Sequence, residues 1–377
     1  MYPRILQIPK ESFFLFGPRG SGKTHLLETS LKVDHQVELL SQENFIRYAS
    51  EPGLFRRQIE NLKPGSWVWV DEIQRIPELL NEVHWGIEKK KIKFALSGSS
   101  ARKLRRSGVN LLAGRAEAKY LYPFIPTELG KDFSLADALQ FGTLPIIFSA
   151  DDKKQKLRSY IQTYIKEEIQ TEALVKDLPA FLRFLKVSAL LHGQTLSLSS
   201  VARDVSVKRP TVENYFSILE DTLLAKLLYP LESNLRVKEK RHPKFYWVDA
   251  GIVRGIREEW GHPSPFEIGS LFEGYIFNLL RSYQSYKNSI DEINFWASSN
   301  VEVDFLVKFN SHFVAIEAKT SKKFRNEDAV GLRSLVDLPN LKRRIIVYPE
   351  VDTQKTHDGI EIMGFEKFSK VLNDGLF

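Results

Sequence analysis

The sequence predicts an α/β fold in which a domain with a parallel sheet is followed by a helical middle region and a second, smaller α/β domain. Three observations lead to this prediction. A glycine-rich loop at 17–24 lies between an apolar run and a helical pattern, and a later apolar run ends in Asp71 and Glu72. Near the C terminus, two alternating runs flank Asn310 and Ser311, as the strands of a hairpin flank its turn.

The composition describes an ordinary globular chain with several domains. At 377 residues the chain is too long for one core, and 43% hydrophobic with 27% charged residues is usual for globular proteins. The lack of cysteine excludes disulfides and thiolate chemistry and fits a cytoplasmic protein, and no apolar run predicts a membrane span. A net charge of +7 suits a polyanionic partner, although its basic clusters could equally be solvated surface.

The loop near the N terminus matches the phosphate-binding pattern G-x-x-x-x-G-K-[ST]. Its glycines let backbone N–H groups face phosphate oxygens, Lys23 can reach the β- and γ-phosphates, and the Thr24 hydroxyl can ligate Mg²⁺. The run 12–16 predicts a strand and 25–31 a helix, which disfavours the alternative of a chance match in a turn. We expect the chain to bind ATP with Mg²⁺ through Gly17, Pro18, Arg19, Gly20, Ser21, Gly22, Lys23 and Thr24.

The apolar run from Ser66 to Val70 ends in two adjacent acids. Because open α/β sheets bind ligands at the carboxyl ends of their strands, Asp71 is expected to hold Mg²⁺, directly or through water. Glu72 is expected to be the general base that polarises the attacking water. Either acid could instead cap the following helix. The second acid favours hydrolysis over binding alone.

The next predicted strand, Lys93 to Ser97, runs into small hydroxyl side chains. Ser97 and Ser99 are candidates to orient the water or to sense the γ-phosphate, although serine-rich turns are also ordinary turns. Arginines further on could supply positive charge to the transition state, in cis or across the subunit boundary of a homo-oligomer. These candidates are Arg105, Arg106 and Arg115.

Together these segments resemble a family of prokaryotic AAA+-type ATPases whose C-terminal region is largely uncharacterised. The resemblance implies a P-loop core with parallel strands and an additional strand, and it covers nearly the whole chain. No second sensor arginine of the usual AAA+ lid is assigned. The matching segments are GPRGSGKT, WVWVDEIQRIPELL, ALSGSSARKL, LAGRA, LYPF at 121–124 with Glu128, FGTLP at 141–145, and the helix with Tyr160, Tyr164 and Glu168.

The middle of the chain is helical from 151 to 191, where apolar residues recur at the spacing of a buried helix face. Two further helices follow, the second entered through Pro210, and Leu223 to Leu231 could be a wing strand. This order is a winged-helix signature. The second helix of such units commonly enters the major groove of DNA, so we expect a nucleic-acid partner, DNA rather than RNA, although winged helices also serve as packing modules. The side chains at the front of that helix are Lys208, Arg209, Thr211 and Asn214.

The predicted C-terminal hairpin brings acidic residues together. With a turn at Asn310 and Ser311, Asp304 lies opposite Glu317, with Cβ atoms about 4.5–5.5 Å apart. Two such carboxylates repel each other unless a divalent cation lies between them, so Asp304 and Glu317 are the predicted ligands of a second metal. Lys319 shares their face and could orient or activate a water for phosphodiester attack.

The order of Glu273 on a helix, Asp304 on a strand and Glu317-Ala318-Lys319 on the next strand resembles the PD-(D/E)xK restriction-endonuclease-like fold. Val303 replaces the usual proline, and Glu302 is a spare acid on the same face. The resemblance implies Mg²⁺-dependent phosphodiester cleavage. Its catalytic residues would be Glu273, Asp304, Glu317 and Lys319. A surface hairpin with ordinary charges is the alternative, and fold analogy does not establish activity.

These expectations combine into one architecture and one favoured function. A P-loop, AAA+-like ATPase domain at 1–130 is followed by a helical linker at 131–191, a winged helix at 192–240 and a restriction-endonuclease-like domain at 241–377. The favoured function is an ATP-hydrolysing protein that acts on nucleic acid and carries a Mg²⁺-dependent nuclease-like domain. One alternative is an ATP-operated switch or scaffold whose nuclease-like domain binds without cleaving. Another is a protein-remodelling ATPase, for which the basic charge is incidental.

Overall fold

A computed structural model of the chain describes residues 2–100, 104, 112–165, 177–231, 242–298 and 301–375. The internal contacts separate the chain into two units. The N-terminal unit contains residues 4–122 with 221–223, and the C-terminal unit contains residues 1–3, 123–220 and 224–377.

The N-terminal unit is built on a parallel sheet of five strands in the order β2-β3-β4-β1-β5. Strands β1 and β3 are almost continuously apolar and buried, as expected for parallel strands covered on both faces. Strand β4 lies between β1 and β3, so the sheet has the additional strand that the sequence predicts. The strands are β1 (Phe13–Phe16), β2 (His35–Glu38), β3 (Trp67–Asp71), β4 (Lys93–Gly98) and β5 (Glu117–Tyr120).

Helices connect the strands of this sheet and pack on it. Phe55 and Ile59 from one helix and Leu79 and Val83 from another share a buried core with Phe94 of β4. The helices are α1 (Lys23–Ser30), α2 (Gln42–Ser50), α3 (Gly53–Ile59) and α4 (Leu79–Trp85), with 3₁₀ turns at Ile73–Arg75 and Leu112–Gly114 and a π turn at Gly86–Lys90.

The C-terminal unit begins with short helices, which one buried carboxylate holds in place. Asp249 accepts hydrogen bonds from the N–H groups of Thr143 (2.7 Å) and Leu144 (3.1 Å), within the FGTLP segment. It also accepts from Gly251 N and so caps a later helix. Glu168, which the family resemblance places in the helix with Tyr160 and Tyr164, lies outside the described residues. The helices are α5 (Pro126–Leu129), α6 (Leu135–Phe141), α7 (Pro145–Phe148) and α8 (Lys153–Ser159), with a 3₁₀ turn at Gly130–Asp132 and a π turn at Tyr160–Ile165.

The next region is a helical cluster with an antiparallel sheet of three strands in the order β6-β8-β7. Phe184, Tyr215, Phe216 and Phe245 pack as an aromatic core between helices and sheet. Strand β8 pairs with β6 and β7, so this sheet continues past residue 240, where the sequence analysis ends the winged helix. The elements are α9 (Leu178–Leu190), β6 (Gln194–Thr195), α10 (Leu198–Val205), α11 (Arg209–Asp221), β7 (Ala225–Leu228) and β8 (Lys244–Trp247).

The chain ends in a mixed sheet of six strands in the order β13-β14-β12-β11-β10-β9. Strands β9, β10 and β11 are antiparallel neighbours, whereas β11, β12 and β14 run parallel. Hydrophobic residues of the sheet, including Trp296, Leu306 and Ile346, form a buried core with Leu332. The strands are β9 (Glu292–Ala297), β10 (Glu302–Phe309), β11 (His312–Ala318), β12 (Leu341–Tyr348), β13 (Gln354–Lys355) and β14 (Glu361–Gly364).

Helix α13 is the longest element of this part of the chain, at 23 residues. Ser264 and Glu267 form a capping box at its start, which satisfies backbone N–H groups of the first turn. No helix in the described part of the chain combines the length and apolarity needed to cross a bilayer. The helices are α12 (Ala250–Ile256), α13 (Pro265–Lys287), α14 (Val330–Ser334) and α15 (Phe365–Asp374), with a 3₁₀ turn at Asn326–Ala329.

The buried imidazole of His192 should make the protein less stable in mild acid. Its Nδ1 accepts from Trp247 N at 3.0 Å, and burial lowers the pKa of His192 to about 3. The unfolded chain takes up this proton near pH 6.5, so stability present above that pH is lost as the pH falls, by about 2 kcal/mol at pH 5. Urea unfolding between pH 7 and 5 should show this slope in the wild type and in a His312→Gln control. The slope should flatten in His192→Gln, and an unchanged slope would contradict the prediction.

Candidate functional site

The glycine-rich loop connects β1 to α1 in the conformation that phosphate binding requires. Gly20 and Gly22 have φ angles of 79° and 88°, which glycine adopts readily and other residues do not. Lys23 is buried, and its Nζ donates to the carbonyls of Gly17 (2.9 Å) and Pro18 (3.4 Å). The ammonium group of Lys23 therefore lies against the loop carbonyls, within the same loop that would bind a phosphate.

Three further residues of the loop, Thr24, Arg19 and Ser21, are predicted to contact the nucleotide or its ion. Thr24 is exposed in the first turn of α1, and Arg19 is partly exposed at the tip of the loop. Ser21 N donates to Pro18 O at 3.1 Å, while Ser21 Oγ is buried and, among the described residues, has no hydrogen-bond partner. An orphaned buried hydroxyl beside a lysine satisfied by carbonyls fits a loop that accommodates a polar ligand.

Asp71 ends β3 and is held by the neighbouring strand. Ser97 Oγ on β4 donates to Asp71 Oδ1 at 2.5 Å and accepts from Trp69 Nε1 at 2.7 Å. Burial raises the pKa of Asp71, and the charge of Glu72 adds to the rise, whereas the hydrogen bond from Ser97 and the charge of Lys23 oppose it. Ser97 thus contacts the predicted metal ligand and orients its carboxylate.

Glu72 follows in an unusual backbone conformation. Its φ of 57° lies in the left-handed region, which non-glycine residues occupy rarely and often at functional sites. Its Oε2 accepts from both the N–H and the Oγ of Ser99 at 3.2 Å. Gln74 Nε2 donates to the same oxygen, and to Ser99 Oγ at 3.2 Å.

Gln74 is a site residue that the sequence reasoning missed. It is buried, and its position two residues after Glu72, in the turn that follows a strand, was the available signal. The Gln74 side chain fills the space beside Gly98. A Cβ atom added to Gly98 would lie 2.3 Å from Gln74 Oε1.

Of the arginine candidates, Arg115 does not join this site within its own chain. Arg115 precedes β5 and forms an ion pair with Glu88, which precedes β4. Because β1, β4 and β5 are parallel, Arg115 lies at the opposite edge of the sheet from the P-loop. This placement does not favour a contribution of Arg115 in cis, and the alternative of a contribution across a subunit boundary stays a prediction. Arg105 and Arg106 lie outside the described residues.

The loop, Asp71 and Glu72 fit ATP with Mg²⁺. Lys23 would meet the β- and γ-phosphates, and Thr24 and Asp71 would hold the ion. Bound Mg²⁺ would neutralise charge on the phosphates, and Glu72 would accept a proton from the attacking water.

The C-terminal hairpin has the predicted register. Phe305 pairs with Ile316 and Leu306 with Ala315, so the next pair toward the open end is Asp304 and Glu317. Asp304 N donates to Glu317 Oε2 at 3.3 Å, and Ala318 N donates to Asp304 Oδ2 at 2.9 Å. Lys319 Nζ lies 2.6 Å from Glu317 Oε1. The structure thus brings together the three predicted hairpin residues.

Glu273 on α13 joins the same cluster through two residues of β8. Tyr246 donates its hydroxyl to Glu273 Oε1 at 2.5 Å, and Lys244 Nζ lies 2.7 Å from the same oxygen. Lys244 Nζ also lies 2.5 Å from Glu302 Oε1 and 3.3 Å from Asp304 Oδ1. Neither Lys244 nor Tyr246 was predicted. The period of two in KFYW, which puts both on one face, was the only signal.

Burial and nearby charges shift the pKa values of two glutamates and two lysines in this cluster. Burial, then the charge of Asp304, raises the pKa of Glu273 and of Glu317 above the usual glutamate range. Burial lowers the pKa of Lys244, but Glu273 and Asp304 outweigh it and raise that pKa well above its ordinary value. Glu317 similarly raises the pKa of Lys319 against burial. Both lysines are therefore firmly charged.

The C-terminal cluster does not fit the predicted divalent metal. In the described part of the chain, no group of three or more His, Asp or Glu side chains is arranged to hold an ion. Lys244 lies among three of the carboxylates, and Lys319 pairs with Glu317. These lysines only partly offset the repulsion between Asp304 and Glu317, since the charge of Asp304 still raises the pKa of Glu317. The arrangement gives no support to the assignment of the two acids as metal ligands.

Comparison with known families divides the chain into three parts. Residues 9–130 match the family described as an AAA domain, 132–258 match a domain of unknown function (DUF8612), and 268–368 match another (DUF4143). Residues 9–130 are therefore an AAA-type P-loop domain. Uncharacterized proteins of Mycobacterium bovis and Mycobacterium tuberculosis are each 26% identical over 348 residues, which is 89% of this chain and 76% of each relative.

Among solved structures, a RuvB variant of Thermotoga maritima has a TM-score of 0.26 and 16% identity, covering 57% of this chain and 81% of its own. The Aeropyrum pernix ORC1 protein in complex with DNA has a TM-score of 0.28 and 13% identity, covering 67% and 87%. The replication initiator DnaA, bound to AMPPCP and single-stranded DNA, has a TM-score of 0.26 and 15% identity, covering 57% and 83%.

Proposed function

We propose that this protein hydrolyses ATP at its AAA-type domain and uses the hydrolysis to switch its interaction with nucleic acid. One observation carries the proposal. Asp71 at the end of β3 is held by Ser97 of β4, and Glu72 just after β3 is held by Ser99 just after β4. Gly17 N at the start of the P-loop donates to Gly98 O, between those serines, at 3.3 Å. The ligands of the ion, the base and the phosphate loop therefore meet at one edge of the sheet.

In this proposal the residues divide the work as follows. Lys23 and the loop N–H groups bind the phosphates, and Glu72 takes a proton from the attacking water. Ser99 and Gln74 position Glu72, and Ser97 orients Asp71. Arg115, turned away from its own nucleotide, acts on a neighbouring subunit of a homo-oligomer.

The interpretation of α9 to β8 as a winged helix supports the nucleic-acid part of the proposal. Its elements come in the order helix, strand, helix, helix, strand, strand. Exposed Lys208 directly precedes α11, and exposed Arg209 is its first residue. Arg209 pairs with Glu213 on its own helix at 2.9 Å, which leaves Lys208 as the better phosphate ligand. Phosphate contacts of this kind are independent of sequence and weaken with salt.

Replacing Lys208 with alanine should weaken DNA binding and lower its salt dependence. Each lost phosphate contact reduces the slope of log K against log salt by about 0.9. Fluorescence anisotropy with duplex DNA at several salt concentrations measures that slope. Lys186→Ala removes an exposed lysine of α9 and serves as the control, because it should leave the slope unchanged. Two results on the wild type would together favour the protein-remodelling alternative. One is that DNA binding is absent or insensitive to salt, and the other is that DNA does not stimulate ATP turnover.

The six-stranded sheet with α13 is, in our proposal, a restriction-endonuclease-like domain that binds nucleic acid without cutting it. The observation behind the non-cleaving form is that Lys244 forms ion pairs with the carboxylates that a metal would need as ligands. A cleaving enzyme is the second candidate, because Glu273, Asp304, Glu317 and Lys319 converge as such a site requires. Plasmid cleavage with Mn²⁺ that Lys319→Ala abolishes would establish the second candidate.

A further inference from the structure

Lys244 is the most completely enclosed cation in the C-terminal acid cluster. Its side chain is 3% exposed, against 33% for Lys319. It reaches carboxylates from two separate elements, Glu273 on α13 and Glu302 and Asp304 on β10. The three N–H donors of one buried ammonium group therefore have three carboxylates within reach.

We propose that Lys244 is the resident cation of this site, and that it excludes a divalent metal from the acids for as long as β8 stays paired. The inference deepens the proposed function, since it concerns the same acids. It makes a prediction about metal binding only, so its test is independent of whether the protein acts on nucleic acid.

The backbone holds Lys244 in place. Within β8 it pairs with Leu228 of β7 and with Thr195 of β6, so the ammonium cannot leave with its strand unless the sheet opens. The Nζ also lies 5.7 Å from the centre of the Phe295 ring, an additional favourable contact for a cation. Tyr246, on the same face of β8, fixes Glu273 with its hydroxyl. The strand thus positions both the cation and one of its acids.

A divalent ion would have to displace that ammonium group. Mg²⁺ requires near-octahedral oxygen ligands at about 2.0–2.1 Å, and Lys244 now engages oxygens of three of the four carboxylates. Removing the ammonium would take the paired positive charge away from the buried carboxylates of Glu273 and Asp304, which is strongly unfavourable. A metal is the natural replacement. The site should therefore gain a metal only when Lys244 is neutralised or withdrawn.

The test is Mn²⁺ binding to the full chain without nucleotide, followed by the electron paramagnetic resonance signal of free Mn²⁺. Lys244→Met should bind one ion about tenfold or more tighter than wild type. That gain should vanish in the double variant Lys244→Met/Asp304→Asn. Lys244→Arg, which keeps a cation, and Lys226→Met, which removes an exposed lysine of β7, should behave as wild type.

Two results would overturn the proposal. One is a Lys244→Met protein that melts cooperatively and still gains no Mn²⁺. The other is wild-type Mn²⁺ binding that Asp304→Asn abolishes, since it would show a metal among the acids with Lys244 present. The wild-type comparison needs no Lys244 variant, so it decides the question even if Lys244→Met fails to fold.

Discussion

Replacing Glu72 with glutamine is expected to slow ATP turnover by about 10²- to 10⁴-fold, the range that general bases contribute. Glutamine is nearly the same size and can keep the hydrogen bond that Ser99 Oγ donates, but it cannot accept a proton from water. ATP affinity should change little, because Lys23 and the loop N–H groups bind the phosphates. A loss of turnover with retained binding is the signature of a group that acts in the chemical step.

The measurement combines steady-state phosphate release with equilibrium binding of a fluorescent ATP analogue. Glu78→Gln is the matched control, because Glu78 is an exposed acid a few residues further along that makes no side-chain cap to α4. It should turn over ATP as wild type does. Glu72→Gln protein that hydrolyses ATP at the wild-type rate would remove Glu72 as the base.

The second large effect concerns stability. Arg254 and Glu267 form an ion pair at 2.8 Å, with side chains only 2% and 7% exposed. The other carboxylate oxygen of Glu267 accepts from Ser264 N at 2.9 Å and completes the cap of α13. Glu267→Ala leaves Arg254 buried without its partner, which should lower the free energy of unfolding by about 3–5 kcal/mol.

Urea unfolding followed by tryptophan fluorescence measures this change. The exposed helical pair of Arg209 and Glu213, with side chains 61% and 46% exposed, provides the control. Glu213→Ala should change the free energy of unfolding by about 0.5 kcal/mol or less, because water already screens that pair. Equal effects of the two substitutions would mean that burial does not decide the strength of these pairs.

The features that the sequence predicts best depend on neighbouring residues. The P-loop follows from the pattern at 17–24 and its flanking strand and helix. The hairpin register follows from alternation and from the turn at Asn310, where a φ of 51° suits asparagine. Once that register is known, the position of Asp304 opposite Glu317 follows by counting. Both predictions rest on contacts between residues that are close together in the sequence.

The features that the sequence does not predict depend on which strands become neighbours. Arg115 looks like a nucleotide ligand until the parallel order of β1, β4 and β5 puts it at the opposite edge of the sheet. Lys244 looks like part of a solvated basic cluster until β8 pairs between β6 and β7. Neither placement is a property of the residues next to it in the chain.

By itself the sequence determined that this protein has a P-loop with two acids after a later strand, and a hairpin that opposes Asp304 and Glu317. The tertiary structure alone decided what surrounds those groups: Ser97, Ser99 and Gln74 around Asp71 and Glu72, and Lys244 among the C-terminal acids. The physical reason is that the chemistry of a carboxylate depends on the charges around it. For Asp304 one of those charges is Lys244, sixty positions away, and only the pairing of strands makes it a neighbour.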